Sequence, residues 1–386
     1  MGYKTYICPV ERDCGGCELL SVPYPKQLER KSAYIQDLFS EFECEYEGVK
    51  GMADPRFYRT KIMTPFVAGS YGRVLHGMYA RGTHKVIEPE DCLVEDPIGQ
   101  PIIRTIAALA EEAGIEPYDE NTGRGILRHA VIRVGANTGQ VMVILVVNRK
   151  EFPHKKWFVR ELRAEFPEIS TVVFNVNTRQ TNAVLGPLAM TAYGQGWIED
   201  KLCGCTFRIP ALAFFQTNVP QTEILYETAL DYARIKPDEL VVDAYCGIGT
   251  IGIIAAKRAK CKVLGIETVP AAVEAAQENA ALNKLRKTKF VAGDAGEVLE
   301  QRVEEGKISP DVVILDPPRS GSTSQFLESV KRADPRCIIY VSCNPETQVR
   351  DIKLLQDRYH VRRLAGVDMF PHTKHVETVA CLLRNA

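Results

Sequence analysis

The 386-residue chain has no apolar run close to the roughly 20 residues that a membrane-spanning helix needs. Its first residues, MGYKTYICPV, also lack the basic and then apolar layout of a secretory signal. We therefore expect a cytoplasmic protein with no membrane partner. In a reducing cytosol, the 12 cysteines serve as metal ligands, catalytic thiols or core residues rather than as disulfides.

The chain also lacks an excess of charge of either sign, since 48 lysines and arginines balance 49 aspartates and glutamates. No global basic field attracts nucleic acid, so any nucleic-acid role needs a local patch. Internal repeats and low-complexity segments are absent from the sequence. The length favours two domains, because single hydrophobic cores stop growing near about 250 to 300 residues.

From about residue 239 onward, short apolar runs alternate with segments of helical spacing. The runs that we interpret as buried strands are ELVVDAY, KVLGIE, TKFVAGD, DVVILDPP and RCIIYVS. The helical segments begin at Thr250, Val269, Ala295, Ser322 and Glu346. This alternation predicts an α/β domain with a parallel, Rossmann-like sheet and helices on both faces.

The last runs, VRRLAGVDMF and HVETVACLLR, are joined by PHTK, which is too short for a helix. They predict a terminal antiparallel hairpin, a combination typical of SAM-dependent methyltransferases. The first half is less regular: VIRVGANTGQVMVILVV predicts two strands around a turn, and TVVFNVN and QTNAVLGPL predict further strands.

We place the domain boundary between Leu202 and Gln221. This gives an α+β RNA-binding domain with a cysteine cluster at 1–205 and a methyltransferase domain at 206–386. The helix near 24–40 is a candidate to pack on the second domain.

The loop CGIGTIG carries Gly247, Gly249 and Gly252 in GxGxxG spacing after a predicted strand and before a helix. The next strand ends in Glu267, whose carboxylate can accept hydrogen bonds from ribose hydroxyls. This signature serves NAD enzymes and SAM enzymes alike, and a glycine-rich turn without a ligand stays a third interpretation.

Further strands end at Asp294, in DPPRSG and in SCNP, at the sheet edge where open α/β folds bind ligands. Addition of a thiolate to C6 of uracil makes C5 nucleophilic toward a SAM methyl group, and a base must then remove the C5 proton. Cys343 is the candidate thiol, and Glu377 in HVET is the candidate base. The alternatives are a core cysteine and a surface glutamate.

The motifs DAYCGIGT, DPPRSG, SCNPET, HVETV and FFQTN closely resemble the RNA uracil-5-methyltransferase family, and they span the whole second half in order. The resemblance implies that Cys343 is the nucleophile and Glu377 the proton acceptor. It also implies a group that contacts SAM or positions the target base: Gln216, Tyr245, Glu267 and Asp316, besides Gly247 and Gly249 of the loop.

Some of these roles have alternatives. Tyr245 could instead be a packing aromatic residue, and Asp316 could hold the uracil edge rather than SAM. Cys246, inside the glycine loop, is interpreted as a packing residue because the resemblance places the attack at Cys343.

Cys8, Cys14 and Cys17 form a C-x5-C-x2-C arrangement, and Cys92 is isolated in PEDCLVED. Four thiolates suit either zinc or an iron-sulfur cluster. The family resemblance favours a 4Fe-4S cluster, which is found in members with this pattern. Cys203 and Cys205 lie too close to the domain boundary to join it, and we expect them to be structural.

The first half also holds runs of cations beside aromatics, which suit phosphate contact and base stacking on unpaired RNA. They comprise Arg56, Arg59 and Lys61, then Arg81, His84 and Lys85, and finally Arg124, Arg128 and Arg133. The quoted segments include no small β-barrel ahead of the cysteine motif, so we expect this half to capture RNA.

The resemblance implies an RNA (uracil-5-)-methyltransferase that uses SAM and acts as a monomer. The cysteine motif favours 23S rRNA as the substrate, with the tRNA T-loop as the alternative. Two rivals of other classes stay open at this point: an NAD-linked oxidoreductase and a non-catalytic RNA-binding protein.

Overall fold

The computed structural model describes residues 5–385. The helices are α1 (Tyr24–Leu38), α2 (Gly99–Glu112), α3 (Lys155–Glu165), α4 (Val219–Ala233), α5 (Thr250–Ala259), α6 (Pro270–Leu282), α7 (Ala295–Glu304), α8 (Ser324–Ala333) and α9 (Pro345–Lys353). Within this range, none of the helices has the length and apolar character needed to cross a bilayer.

The strands of the first half are β1 (Glu45–Lys50), β2 (Lys61–Ala68), β3 (Val74–His76), β4 (Met78–Tyr79), β5 (Val86–Ile87), β6 (Leu127–Val134), β7 (Val141–Val147), β8 (Ile169–Val176), β9 (Leu188–Tyr193) and β10 (Trp197–Leu202). Those of the second half are β11 (Cys205–Pro210), β12 (Leu240–Ala244), β13 (Lys262–Glu267), β14 (Thr288–Ala292), β15 (Val312–Leu315), β16 (Cys337–Ser342), β17 (Tyr359–Val367) and β18 (Glu377–Arg384).

The larger sheet has the order β1-β17-β18-β16-β15-β12-β13-β14, and its five strands from β12 to β16 are all parallel. Helices α4, α5 and α6 cover one face, whereas α1, α7, α8 and α9 cover the other. Because both faces are covered, the strands carry near-continuous apolar runs such as VVIL in β15, which is buried throughout. The predicted α/β sheet is confirmed.

The predicted terminal hairpin is also confirmed, since β18 is antiparallel to both β16 and β17. At the edge of this sheet, β1 from the first half pairs in parallel with β17. Ile35 of α1 and Phe39 pack into the same core as Leu364 of β17. Residues 24–50 therefore lie against the sheet formed by the second half.

The second sheet has the order β3-β2-β6-β7-β8-β9, and β6 and β7 form the predicted hairpin. The strand predicted for QTNAVLGPL is wrong, because β9 begins only at Leu188. The segment before β9 is irregular and is bonded to side chains of neighbouring residues. The side chain of Asn175 in β8 donates to the carbonyl of Gly186 at 2.9 Å and accepts from its N–H at 2.7 Å. The Asn177 side chain donates to the carbonyl of Ala183 at 2.6 Å. Side chains thus satisfy backbone groups that a strand would pair.

Strands β10 and β11 form a hairpin between the two sheets. Its two-residue turn has positive φ at Cys203 (47°) and Gly204 (72°), as a primed turn requires. Phe207 on the hairpin packs in one continuous core with Ile144 of the second sheet and Val241 of the larger one. The hairpin thereby fixes the two sheets against each other.

Candidate active site

Cys343 directly follows β16 and is held in a tight connection to α9. The side-chain carbonyl of Asn344 accepts from the backbone N–H of Glu346 at 3.2 Å and caps α9, which has Pro345 in its first turn. The Asn344 amide donates to the carbonyl of Arg319 at 3.1 Å. Asn344 thus bonds both to the first turn of α9 and to the loop after β15, and these bonds fix the neighbouring thiol at the carboxyl end of β16.

Glu377 reaches the same place through the register of the antiparallel pair. Ser342 of β16 lies opposite Thr378 of β18, so the next pair in this register is Cys343 and Glu377. Glu377 is buried, with 4% of its surface exposed. The terminal hairpin thus delivers a carboxylate to the side of the thiol, as the sequence predicted.

Two carboxyl groups and one guanidinium surround this thiol. Burial raises the pKa of Glu377, the Asp316 carboxylate raises it further, and Arg319 lowers it. Burial likewise raises the pKa of Asp316. The pKa of Cys343 is raised by burial and by these two carboxylates, against the opposing effect of Arg319. The site therefore holds acids that ionise closer to neutral pH than isolated carboxyls do.

A cavity of about 570 Å³ lies in front of Cys343. Its lining residues come from the segment before α1, from α1, from the loop after β15, from the connection between β16 and α9 with the start of α9, and from the segment before β18: Leu19, Arg30, Lys31, Tyr34, Arg319, Cys343, Asn344, Pro345, Glu346, Lys374, His375 and Val376. A cavity of this size can hold a nucleotide-sized ligand.

The glycine loop connects β12 to α5 and bends back toward β13. Gly247 (φ 54°) and Gly249 (φ 81°) adopt the left-handed conformation that favours glycine. The N–H of Gly247 donates to one carboxylate oxygen of Glu267 at 3.0 Å, and the N–H of Val269 donates to the other at 3.0 Å. A Cβ atom at Gly247 would meet nothing within 4 Å, so the loop backbone there lies open to a ligand.

Asp243 of β12 is buried beneath the glycine loop. Its pKa is raised to about 7, mainly by burial, with the Gly252 amide that donates to it at 2.8 Å acting against the rise and the carboxylates of Asp316 and Glu267 adding to it. Glu267 and Asp316 thus influence one buried group from both sides. The carboxyl ends of the parallel strands β12, β13, β15 and β16 lie at one edge of the sheet, where open α/β folds bind ligands.

Two further predicted residues flank this site. Tyr245, directly after β12, donates to the hydroxyl of Ser322 at 3.5 Å and meets the ring of Phe326 edge-on at 5.5 Å. Gln216 is buried, with 7% exposure, in the segment between β11 and α4. Cys246 is also buried and belongs to the core beneath the loop.

The predicted metal ligands meet elsewhere. Cys8, Cys14, Cys17 and Cys92 line one cavity together with Arg59 and Glu95. Burial raises the pKa of Cys17 and of Cys92 to about 12 in each case. Over residues 5–385, no three His, Cys, Asp or Glu side chains are placed to hold a metal ion jointly.

The segment around these cysteines is tied to the catalytic side. The N–H groups of Glu18 and Leu19 both donate to the carbonyl of His372 at 2.9 Å. His372 lies in the connection that leads into β18 and hence to Glu377. The cysteine cavity thus supports the segment from which the cavity in front of Cys343 is partly built.

The predicted RNA-facing cations are divided by the structure. Arg128 is 4% exposed and donates to the carbonyls of Asn177 and Arg179 at 2.7 and 2.9 Å. Arg133 is 2% exposed and donates to the carbonyl of Ala213 at 2.8 Å. The prediction that Arg128 and Arg133 contact RNA phosphates is wrong, because each guanidinium is buried and donates to backbone carbonyls within the protein. Lys85 and Arg124 are exposed as predicted.

Sequence reasoning missed two residues of the site. Arg319 stands in the quoted DPPRSG motif, where its place just after a strand end was a usable signal. Tyr226 of α4 is buried, and its hydroxyl lies 3.1 Å from that of Thr250. Its pKa is raised by burial and then by Asp316, with a smaller contribution from Glu377. Helical spacing gave no signal for it.

The second half of the chain matches a family model described as tRNA (uracil-5-)-methyltransferase, over residues 197–385. A Staphylococcus aureus protein named as an uncharacterized RNA methyltransferase is 39% identical over 378 residues, covering 97% of this chain and 83% of its own length. A Bacillus cereus protein of the same description is 39% identical over 384 residues, covering 98% and 83%.

A solved structure is similar over both halves. It is the tRNA (uracil-54, C5)-methyltransferase of Pyrococcus abyssi in complex with S-adenosyl-L-homocysteine. The TM-score is 0.79 at 28% sequence identity, and the match covers 96% of this chain and 86% of that chain. The similarity therefore extends beyond the second half into the first half of the chain.

Proposed function

Since this chain belongs to the RNA uracil-5-methyltransferase family and is a SAM-dependent RNA methyltransferase, we propose that it methylates C5 of a uridine through a covalent adduct on Cys343. The observation that carries the proposal is that Cys343 lines a 570 Å³ cavity while the strand register sets Glu377 beside it. This pairing meets the need for a nucleophile and a base acting on adjacent ring carbons.

The first half of the reaction makes C5 nucleophilic. The thiolate sulfur of Cys343 forms a bond to C6, and the electrons of the C5–C6 double bond move toward C5 and the C4 oxygen as an enolate. C5 then bonds to the methyl carbon, and that carbon's bond to the sulfonium sulfur breaks. SAM supplies this electrophilic methyl group, and S-adenosyl-L-homocysteine is left.

Glu377 completes the reaction as the base. It removes the proton from C5, the electron pair re-forms the C5–C6 double bond, and the bond between C6 and Cys343 breaks to expel the thiolate. The raised pKa of Glu377 suits this role, because a base is most effective when its pKa lies near the working pH. Arg319 is the cation placed to stabilise negative charge at the site.

Asp316 is proposed to hold the target base rather than SAM. Its carboxyl group acts on the pKa of Glu377 and of Cys343, so it belongs with the reacting ring atoms. A uridine in a stacked helix hides the face that the thiol must attack. The base therefore has to leave its stack and enter the cavity.

SAM is assigned to the glycine loop. Gly247 provides open backbone, Gly249 supplies the left-handed turn that begins α5, and Glu267 is held by two backbone amides in a position to accept ribose hydroxyls. Tyr245 and Gln216 complete the proposed binding residues.

We also assign a 4Fe-4S cluster to Cys8, Cys14, Cys17 and Cys92, because four half-buried thiols around one cavity suit a cluster that takes one thiolate per iron. Such a cluster supplies no step of the methyl transfer. These residues would instead join the N-terminal segment to the loop at Cys92, and the boundary near residue 205 would separate this unit from the methyltransferase unit.

The proposed substrate is 23S rRNA, on the basis of the cysteine motif, with a tRNA T-loop as the second candidate. The second candidate is favoured by the similar structure from Pyrococcus abyssi, whose name specifies a tRNA uridine. Unmodified tRNA and 23S rRNA transcripts, incubated with the protein and labelled SAM, would be digested and analysed by mass spectrometry. We expect 5-methyluridine at one position in one RNA, whereas label on another base or none would contradict the proposal.

A further inference from the structure

Helix α1 forms a wall of the cavity in front of Cys343 that the methyl transfer itself does not require. Arg30 and Tyr34 both line the cavity, although they lie more than 300 residues from Cys343 in the chain. Their spacing of four residues puts them on one face of the helix. The first half of the chain thus contributes directly to the entrance of the catalytic site.

This wall is fixed by a buried polar network that ties α1 to the segment between β17 and β18. The Lys31 ammonium lies 2.6 Å from the Asp368 carboxylate, with side-chain exposures of 3% and 0%. The hydroxyl of Tyr24 donates to the same carboxylate at 2.8 Å. The side chain of Gln27 accepts from the backbone N–H of His372 at 2.9 Å. A helix held in this way presents its cavity face in one orientation.

The charge of the cavity is opposite to that of RNA. Three of its lining cations, Arg30, Arg319 and Lys374, stand against the single lining carboxylate of Glu346, whereas the fourth, Lys31, is paired with the buried Asp368. The chain as a whole carries a net charge of −1, so this is a local basic patch. Lys374 is 74% exposed and reaches Glu18 only at 3.9 Å, which leaves its ammonium available to solvent.

Tyr34 adds an aromatic surface beside these cations. It is 41% exposed, and its hydroxyl donates to the Glu346 carboxylate at 3.2 Å. That bond ties the ring to the first turn of α9, next to Cys343. A large exposed aromatic ring held by its polar end is a platform on which an unpaired base can stack.

We propose that α1 is an RNA-contacting element, in which Tyr34 stacks on the unpaired base next to the target uridine and Arg30 and Lys374 contact the flanking phosphates. This inference rests on the proposed uridine methylation at Cys343. Phosphate contacts position an RNA without reading its sequence, and stacking accepts any base. The element therefore selects for unpaired RNA rather than for one sequence.

The test uses the full chain with unmodified tRNA and 23S rRNA transcripts. We expect Arg30→Ala and Lys374→Ala each to weaken RNA binding by roughly 3- to 10-fold and to reduce the salt slope by about 0.7 to 0.9. For Tyr34→Ala we expect a rise in the RNA KM of about 5- to 100-fold with a smaller change in kcat. Tyr34→Phe keeps the ring and should stay close to the wild type.

Arg286→Ala is the matched control. Arg286 is an exposed cation just before β14, at the amino ends of the parallel strands and hence at the sheet edge opposite to Cys343. Retained SAM binding and an unchanged unfolding midpoint verify that each variant is folded. RNA affinities of Arg30→Ala, Lys374→Ala and Tyr34→Ala equal to that of Arg286→Ala would overturn the inference.

The two proposals fail separately. A wild-type protein that produces no 5-methyluridine would contradict the proposed function itself. A wild-type protein that methylates RNA, together with α1 variants that bind and turn over like the control, would remove only the role of α1. A loss of affinity for one transcript alone would support the inference and identify the RNA whose unpaired region reaches Tyr34.

Discussion

Two groups of cysteines in this protein differ in their surroundings, and the surroundings suit each group to a different function. Cys343 is half-buried at the end of a parallel strand and faces a 570 Å³ cavity. Cys8, Cys14, Cys17 and Cys92 surround a separate cavity built from loops of the first half. Burial raises the pKa of Cys343 just as it raises that of Cys17 and Cys92.

The raised pKa therefore does not distinguish the groups, but the neighbours do. Cys343 lies beside the Glu377 carboxylate in the strand register, and the Arg319 cation acts on it as well. The carboxylate can accept a proton, and the cation can stabilise a developing negative charge. Cys17 and Cys92 also have a cation and a carboxylate nearby, Arg59 and Glu95, but unlike Cys343 they have other thiols as neighbours as well. The first arrangement suits reversible addition to a ring, whereas the second suits a bound metal centre.

The largest expected effect is at Cys343. In Cys343→Ala no sulfur can add to C6, so we expect turnover to fall by at least about 10⁴-fold while SAM binding is retained. Radiolabelled methyl transfer and SAM calorimetry measure the two quantities. Cys44→Ala, at another half-buried cysteine, is the control and should keep full turnover. Methylation by Cys343→Ala at the wild-type rate would show that the nucleophile is misassigned.

Glu377→Gln should act on the second half of the reaction. An amide cannot take the C5 proton, so we expect turnover to fall by about 10²- to 10⁴-fold while the covalent RNA complex accumulates. Denaturing gels with labelled RNA would display this complex. Normal turnover without accumulation would exclude Glu377 as the base.

Substitution in the other thiol group should affect binding rather than chemistry. For Cys92→Ser we expect loss of iron and acid-labile sulfide, a fall in unfolding midpoint of roughly 5 °C or more, and weaker RNA binding. SAM binding should stay, because the glycine loop lies in the second half. Cys44→Ser is the matched control. An anaerobically purified wild-type protein that is colourless and carries zinc would contradict the cluster.

The smallest effect concerns pH. The raised pKa values of Cys343 and Glu377 mean that thiolate and carboxylate both become more abundant as the pH rises. We therefore expect kcat to increase, by about tenfold, from about pH 6.5 to 8.5. In Glu377→Gln, the portion of this rise in kcat that comes from ionisation of Glu377 should disappear. A rate that falls over this range in the wild type would contradict both assignments.

The catalytic half could be predicted well from the sequence, because buried parallel strands carry continuous apolar runs and place their terminal residues at one edge. The positions of Asp316 and Cys343 at that edge follow from this rule, whereas their roles are inferred from the family resemblance and from the chemistry of uracil. The pairing of β1 with β17 could not be predicted, since it joins residues more than 300 positions apart through a strand, EYEGVK, without an apolar pattern.

The first half was harder for a related reason. Arg128 and Arg133 stand in a strand that is almost wholly buried, and each donates to backbone carbonyls of distant loops. A run of cations and aromatics cannot reveal such partners. The role of α1 was equally hidden, because Tyr34 meets Glu346 only after the two halves have packed together.

The most direct test is the reaction of the wild-type protein with SAM and RNA that contains 5-fluorouridine, followed by denaturation and peptide mass spectrometry. A base cannot remove fluorine from C5 in the way that it removes a proton, so the covalent bond between C6 and the thiol persists. We predict a crosslink on the peptide that contains Cys343, with one methyl group on the base. A crosslink on Cys246, or none although the same protein methylates uridine, would contradict the account.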